Sequence, residues 1–308
     1  MKLPYKRFPG DIIVVPMIIG VLLNSFVPSF LEIGSFWTAM AHGTGALVGV
    51  FLFFLGASMD IGSTGKAVAK GTVIIVTKIA MAILLGFAVA FLFNDNFLGL
   101  SSLAIIGSIS VANNALYSGI VASMGDDSDK GAVAITDLSV GPTVTMIAMS
   151  SAGLAAISPL SLIGSILPLV LGIALGAIFP GLKKILAQGV QPATIMVGFA
   201  LGAGMSVSQL IQGGISGILL GVITTFVVGA VTVLVEKLIF KEGFAAAAIS
   251  SVAASGVANP QALADVDPTY AAVAPVATAQ IAAAVIVTSF LTPMFAAWVY
   301  KLDHKDEQ

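Results

Sequence analysis

Ser108-Ile109-Ser110-Val111-Ala112-Asn113-Asn114-Ala115-Leu116-Tyr117 and Ser255-Gly256-Val257-Ala258-Asn259-Pro260-Gln261 are the two stretches on which the fold turns. Each lies inside an apolar run of membrane-crossing length, and each is poor helix material: paired amides in the first, an Asn-Pro pair in the second. At membrane depth the backbone leaves the helical ladder only where protein or a wet cavity satisfies its polar groups. Two broken, crossed helices are therefore expected. Their half-helix amino termini, after Asn114 and Gln261, would face the centre with free N–H groups and partial positive charge, a setting that favours an anion. The plainer alternative is that Asn113 and Asn259 only bond neighbouring helices.

Composition agrees with a membrane setting. Of 308 residues, 58% are hydrophobic and 9% charged, and the mean hydropathy is +1.07; soluble domains carry about 25% charged residues. Runs such as Val73 to Phe93 and Ile215 to Val235 match the roughly 20 residues that carry a helix across hydrocarbon. Ten spans are expected, near 11–31, 44–61, 71–93, 102–124 and 131–157, then 161–180, 191–207, 213–238, 245–265 and 271–299. The loops between them are short, so residues 1–308 form one polytopic membrane domain with no room for a soluble catalytic one. A net charge of -2 with scattered basic residues offers no nucleic-acid surface. Cysteine is absent, and His42 and His304 have no metal-ligand companions, so no metal or cofactor is expected. Lys2, Lys6 and Arg7 precede the first run as in a secretory signal, but Asp11, Pro16 and the run's length mark a retained helix.

Ten spans put both termini on one side, and the basic residues then sort cleanly. Lys2, Lys6, Arg7, Lys66, Lys70, Lys130, Lys183, Lys184, Lys237, Lys241, Lys301 and Lys305 fall on one side, while the opposite loops hold Glu32, Asp95, Asp265 and Asp267. By the tendency of Lys and Arg to stay inside, both termini are cytoplasmic. An odd number of spans would break this sorting.

The chain also repeats itself. Pro16, Gly20, Leu23 and Pro28 match Pro168, Gly172, Leu175 and Pro180; Phe53, Leu55, Gly56, Ala57 and Met59 match Phe199, Leu201, Gly202, Ala203 and Met205. Val111-Ala112-Asn113 matches Val257-Ala258-Asn259, and Val140, Pro142 and Thr145 match Val273, Pro275 and Thr278. Residues 1–157 and 158–308 are thus read as two repeats. With five spans each, the second must enter the membrane inverted, the arrangement of an alternating-access carrier.

Ionised residues inside spans are costly enough to be functional candidates. Lys78 lies beside Thr77 in the third span, although its long stem could snorkel to the interface. Asp137 precedes Ser139 and the Gly141-Pro142 break in the fifth, where it could take a proton, pair with Lys78, or face cytoplasmic headgroups. Thr278 and Gln280 could line the cavity or bond another helix. Asp60 reads as a solvated helix end.

Leu55-Gly56-Ala57-Ser58-Met59, Val76-Thr77-Lys78-Ile79-Ala80, Asn113 with Leu116-Tyr117, Gly141-Pro142 with Thr145-Met146-Ile147, and Ala284-Val285-Ile286-Val287-Thr288-Ser289 together resemble the 2-keto-3-deoxygluconate permease family of the bile acid/sodium symporter superfamily. The resemblance spans nearly the whole chain. It implies a core domain containing the crossed fourth and ninth helices, a panel domain, a cavity between them, and import of a sugar-acid anion with a proton across a bacterial cytoplasmic membrane. Asn113, Asn114, Tyr117, Asn259, Gln261 and Thr278 are the expected substrate contacts; Lys78, Asp137, Ser110 and Ser139 are the expected coupling residues. The family pattern has acids where this chain carries Ser110 and Ser139, and Asp137 is the nearest replacement. Sodium-coupled relatives bind cations around the helix crossing; here the Lys78 ammonium is expected to fill that space, leaving protonation as the coupling event.

Three other readings compete. A sodium-coupled carrier of another organic anion would use Ser110, Ser139 and the amides as neutral oxygens. An intramembrane enzyme lacks a histidine in the spans or a convincing Ser/Lys pair. A passive channel fits inverted, broken halves less well than a carrier does. The many small residues permit close helix packing and leave self-association open.

Overall fold

The computed structural model describes residues 11–59, 65–139 and 141–304; Lys2, Lys6, Arg7, Asp60, Val140 and Lys305 lie outside these segments. Helices make up the architecture, with no strand among the described residues. Gly65–Leu92, Pro159–Ile178, Pro180–Ala203, Val207–Phe240 and Ala274–Asp303 are each long and apolar enough to cross a membrane. The pair Ser35–His42 and Thr44–Ser58, bent by 74° at Gly43, makes a sixth if taken as one span. The other segments expected to span are made of shorter helices and breaks. Leu84, Phe87, Leu92, Ile215, Leu238, Met294 and Trp298 point outward and are exposed. Large apolar side chains on outer helix faces suit hydrocarbon, not water.

The interruptions fall largely where the sequence places them. Ser102–Ile109 and Asn114–Met124 are separated by Ser110 to Asn113. Phe244–Ala248 gives way to an irregular stretch, then a 3-10 turn over Ala254–Ala258 and a helix over Asn259–Val266. The second half-helix thus begins at Asn259, ahead of the expected start after Gln261, because Pro260 fits the first turn of a helix, where its missing N–H is not needed. Residues 131–157 are not one helix. Asp127–Thr136 and Pro142–Ser151 flank a turn that contains Gly141 at φ +75°, a conformation glycine adopts without penalty. The earlier start follows from a capping box: Asp126 accepts from Asp129 N–H, and the Asp129 side chain accepts from Asp126 N–H. The first helix stops at Phe26 because the residue before Pro28 avoids the helical region; Val27 sits at φ -142°, ψ 56°.

Packing is reciprocal between the halves. Asp11–Phe26 lies along Val190–Ala203, and Pro159–Ile178 lies along Thr44–Ser58. A methyl at Gly20 would fall 2.5 Å from Phe199 O and 2.6 Å from Ala203 N; one at Gly172 would fall 2.1 Å from Phe53 O and 2.9 Å from Ala57 N. Likewise a methyl at Gly202 would meet Met17 O at 1.9 Å, and one at Gly56 would meet Leu169 O at 2.2 Å. Residues matched in the sequence therefore make matched backbone-to-backbone contacts, and glycine is what lets these helices approach so closely.

Candidate functional site

Breaking two helices inside a membrane protein leaves backbone groups that must find partners, since each one left unsatisfied in lipid costs several kcal/mol. In the first break, Ser110 O accepts from Ser139 Oγ at 2.8 Å and Ala112 N–H donates to Ser139 O at 3.2 Å. In the second, Ser250 O accepts from Thr292 Oγ1 at 2.9 Å and Val252 N–H donates to Thr288 Oγ1 at 3.1 Å. One side chain serves both. Lys78, 1% exposed, donates from Nζ to Val111 O at 2.6 Å and to Ser251 O at 2.7 Å. It does not snorkel to the interface but pins the two interruptions together. Gly256 closes the junction, since a methyl there would lie 2.9 Å from Val111 Cγ2.

Asn259 is fully buried. Its Nδ2 donates to Gly107 O and to Thr145 Oγ1, both at 2.8 Å, and Thr145 Oγ1 pairs with Ser110 Oγ at 2.9 Å. Ser110, Ser139 and Asn259 thus hold the junction and are buried. Asn113 caps its half-helix, its Oδ1 accepting from Leu116 N–H at 3.2 Å, and Asn114 Nδ2 donates to Thr136 O at 3.0 Å.

Beside this junction lies a cavity of about 450 Å³, within the range of small-molecule sites. Asn113, Asn114, Ser118 and Asp137 form one wall, with Ala253 to Ser255; Ser58, Gln191 and Thr194 stand on helices that pack outside the broken pair. No basic side chain is among the described residues that line it. Attraction for an anion would come from the N–H groups of the Asn114–Met124 amino terminus and from Lys78, whose acceptor Val111 adjoins the lining residue Ala112.

Other expected contacts lie elsewhere. Tyr117 is fully buried outside the cavity lining, and its hydroxyl donates to Asp129 O at 2.8 Å. Gln261 and Thr278 line a separate, smaller cavity of about 170 Å³ together with His42. There Leu201 and Gly204 occupy the repeat positions of Leu55 and Ser58. Gln280 bonds Gly99 O and Ser216 Oγ, so it ties helices together. Ser58, Ser118, Gln191 and Thr194 were not expected; their one sequence signal is a polar side chain on an otherwise apolar helix.

Residues 4–305 match the 2-keto-3-deoxygluconate permease family. The chain belongs to this family. 2-Keto-3-deoxygluconate permease 1 of Salmonella typhimurium is 42% identical to the permease over 303 residues, covering 98% of this chain and 96% of that protein. The 2-keto-3-deoxygluconate permease of Escherichia coli K12 is 34% identical over 311 residues, covering 98% and 95%. Among solved structures, the sodium proton antiporter MjNhaP1 from Methanocaldococcus jannaschii superposes with a TM-score of 0.58 at 13% identity, covering 94% of this chain and 93% of that one. That likeness is one of fold. Family membership makes the permease a multi-pass membrane transporter and not an enzyme.

Proposed function

We propose that this permease imports 2-keto-3-deoxygluconate by proton symport, through alternating exposure of the cavity beside Lys78. The substrate assignment rests on the names of relatives that cover nearly the whole chain. The mechanism rests on one observation: the buried Lys78 side chain joins two broken helices beside a cavity that has half-helix N–H groups but no basic side chain among the described residues that line it. Asn113 and Asn114 hold the substrate carboxylate at the amino terminus of Asn114–Met124, and Ser58, Gln191 and Thr194 meet its hydroxyl groups. Gln261 and Thr278 serve the substrate from the smaller, opposite cavity.

Coupling follows from charge. While Lys78 is an ammonium it both attracts the substrate anion and bonds Val111 O and Ser251 O. Loss of its proton on one side of the membrane weakens both interactions. Asp137, on the cavity wall, is the nearby carboxyl that can pass that proton, while Ser110 and Ser139 keep the first break in shape.

The halves 1–157 and 158–308 act as inverted five-span repeats. The matched glycine contacts support this duplication, and the rocking of one unit on another is how such repeats give alternating access. Contacts between basic residues and loops support one shared side for them: Lys183 reaches Met59 O, Lys66 lies 3.7 Å from Glu242, and Lys237 lies 2.6 Å from Asp303. That side is the cytoplasm of a bacterial inner membrane.

A sodium-driven version has an observation in its favour: Ser251 Oγ and Asn259 Oδ1 are buried without hydrogen-bond partners among the described residues, and such oxygens suit a hard cation. Lys78→Ala in proteoliposomes separates the two. Proton coupling through Lys78 predicts that concentrative uptake is lost while counterflow of labelled 2-keto-3-deoxygluconate persists at a reduced rate. Unchanged accumulation would remove Lys78 from the mechanism. Lys78→Gln, which keeps a donor without the charge, guards against misfolding.

A further inference from the structure

A second buried charge site lies apart from the cavity and from Lys78. Lys70, fully buried on Gly65–Leu92, bonds Asp129, lies 2.8 Å from Glu242 Oε2 and stands 3.5 Å from Glu236 Oε1. Lys66 lies 3.6 Å from Asp126 and 3.7 Å from Glu242. Two lysines therefore face four carboxyl groups. Lys237 does not relieve the imbalance, because it is paired with Asp303 at 2.6 Å.

Burying that excess negative charge away from water is costly, and a group in this position takes up a proton instead. The surroundings single out which one. Asp126 stays ionised: partial burial pushes its carboxyl up, but bonds from Asp129 N–H and Ser128 Oγ and the charges of Lys70 and Lys66 bring it to about 2. Glu242 is 42% exposed and solvated. Asp129 receives both Lys70 and the Asp126 N–H. Glu236 is 0% exposed. Its Oε2 accepts from Ala246 N–H at 2.7 Å, whereas its Oε1 has no hydrogen-bond partner among the described residues.

We propose that Glu236 is a proton-binding site, taking up one proton from water on Oε1, and that its occupancy sets how firmly the Asn114–Met124 half-helix is held. With Glu236 neutral, Lys70 is left to Asp129 and Glu242. With Glu236 ionised, three carboxylates compete for one ammonium and Asp129 is bound less tightly. The backbone oxygen of Asp129 is the acceptor of the Tyr117 hydroxyl, and Tyr117 belongs to the half-helix whose first turn lines the cavity. The proton-binding half of this inference holds whichever cation drives transport; the link to the half-helix rests on the cavity being the substrate site.

Infrared difference spectroscopy of the full chain in lipid reads the proton directly. At neutral pH the wild type is expected to show the carbonyl stretch of a protonated carboxyl, and Glu236→Gln, a neutral near-isostere, is expected to lose it, while Glu242→Gln keeps it. Only ionised carboxylate bands in the wild type, or loss of the band in Glu242→Gln and not in Glu236→Gln, would overturn the assignment. Counterflow without any imposed gradient reads the link. The KM for 2-keto-3-deoxygluconate should rise about fivefold from neutral to alkaline pH, at the low end of coupling between linked sites, and Glu236→Gln should remove the part of that rise that Glu236 contributes, leaving only the part that follows Lys78. A wild-type profile retained in Glu236→Gln would break the link, and this differs from failure of the Lys78 mechanism, which is read as accumulation.

Discussion

An amide side chain inside a membrane protein can face a ligand or a neighbouring helix, and its identity and spacing are the same in both cases. Asn113 and Asn259 stand at matched repeat positions and read identically, yet Asn113 lines the cavity while Asn259 is spent on Gly107 O and Thr145 Oγ1. Tyr117 was legible as polar but not as the partner of Asp129, which lies across a turn that propensity does not define. Lys78 was legible, because a cation at that depth must be held by something; which carbonyls hold it was not. Asn113→Asp separates the two duties of Asn113. An aspartate caps a helix as well as an asparagine does, so thermal stability should be unchanged, while the added negative charge opposes a bound carboxylate. The KM from counterflow should rise about tenfold, the scale of about 1.4 kcal/mol lost from a charge-assisted contact. An unchanged KM would take the carboxylate away from this half-helix.

Elements whose signal is backbone proximity or a breaker residue were easier to read. The Gly20/Gly172 and Gly56/Gly202 pairs were visible as repeat matches, and the reason is that carbonyl oxygens of the facing helices occupy the space a side chain needs. In the fifth span the Gly141-Pro142 break is legible, but the helix start at Asp127 is not, because its signal is the capping box between Asp126 and Asp129, set among polar residues ahead of the apolar run. Small-to-large changes test the matched contacts. Gly202→Val and Gly56→Val should each lower the melting temperature in detergent by several degrees, as overpacking costs about 1–3 kcal/mol. Gly214→Val, where no atom lies within 4 Å of an added methyl, should change it little. Tolerance of valine at Gly202 alongside loss of stability at Gly56 would contradict equivalent packing in the two halves.

At the level of the whole molecule, charge sorting, duplication and the cavity bear on the proposed alternating access, in which a single chain would open a polar hollow first to one side and then to the other. Orientation is directly measurable, because the chain has no cysteine of its own. Lys184→Cys should be labelled by an impermeant maleimide only from the cytoplasmic side, and Asp267→Cys only from outside; labelling of both from one side would contradict the arrangement of spans. Energy coupling is tested by uptake of 2-keto-3-deoxygluconate into proteoliposomes under a pH gradient and a sodium gradient imposed separately. The account predicts accumulation driven by an inward proton gradient in sodium-free buffer. Accumulation that needs the sodium gradient and ignores the pH gradient would contradict it.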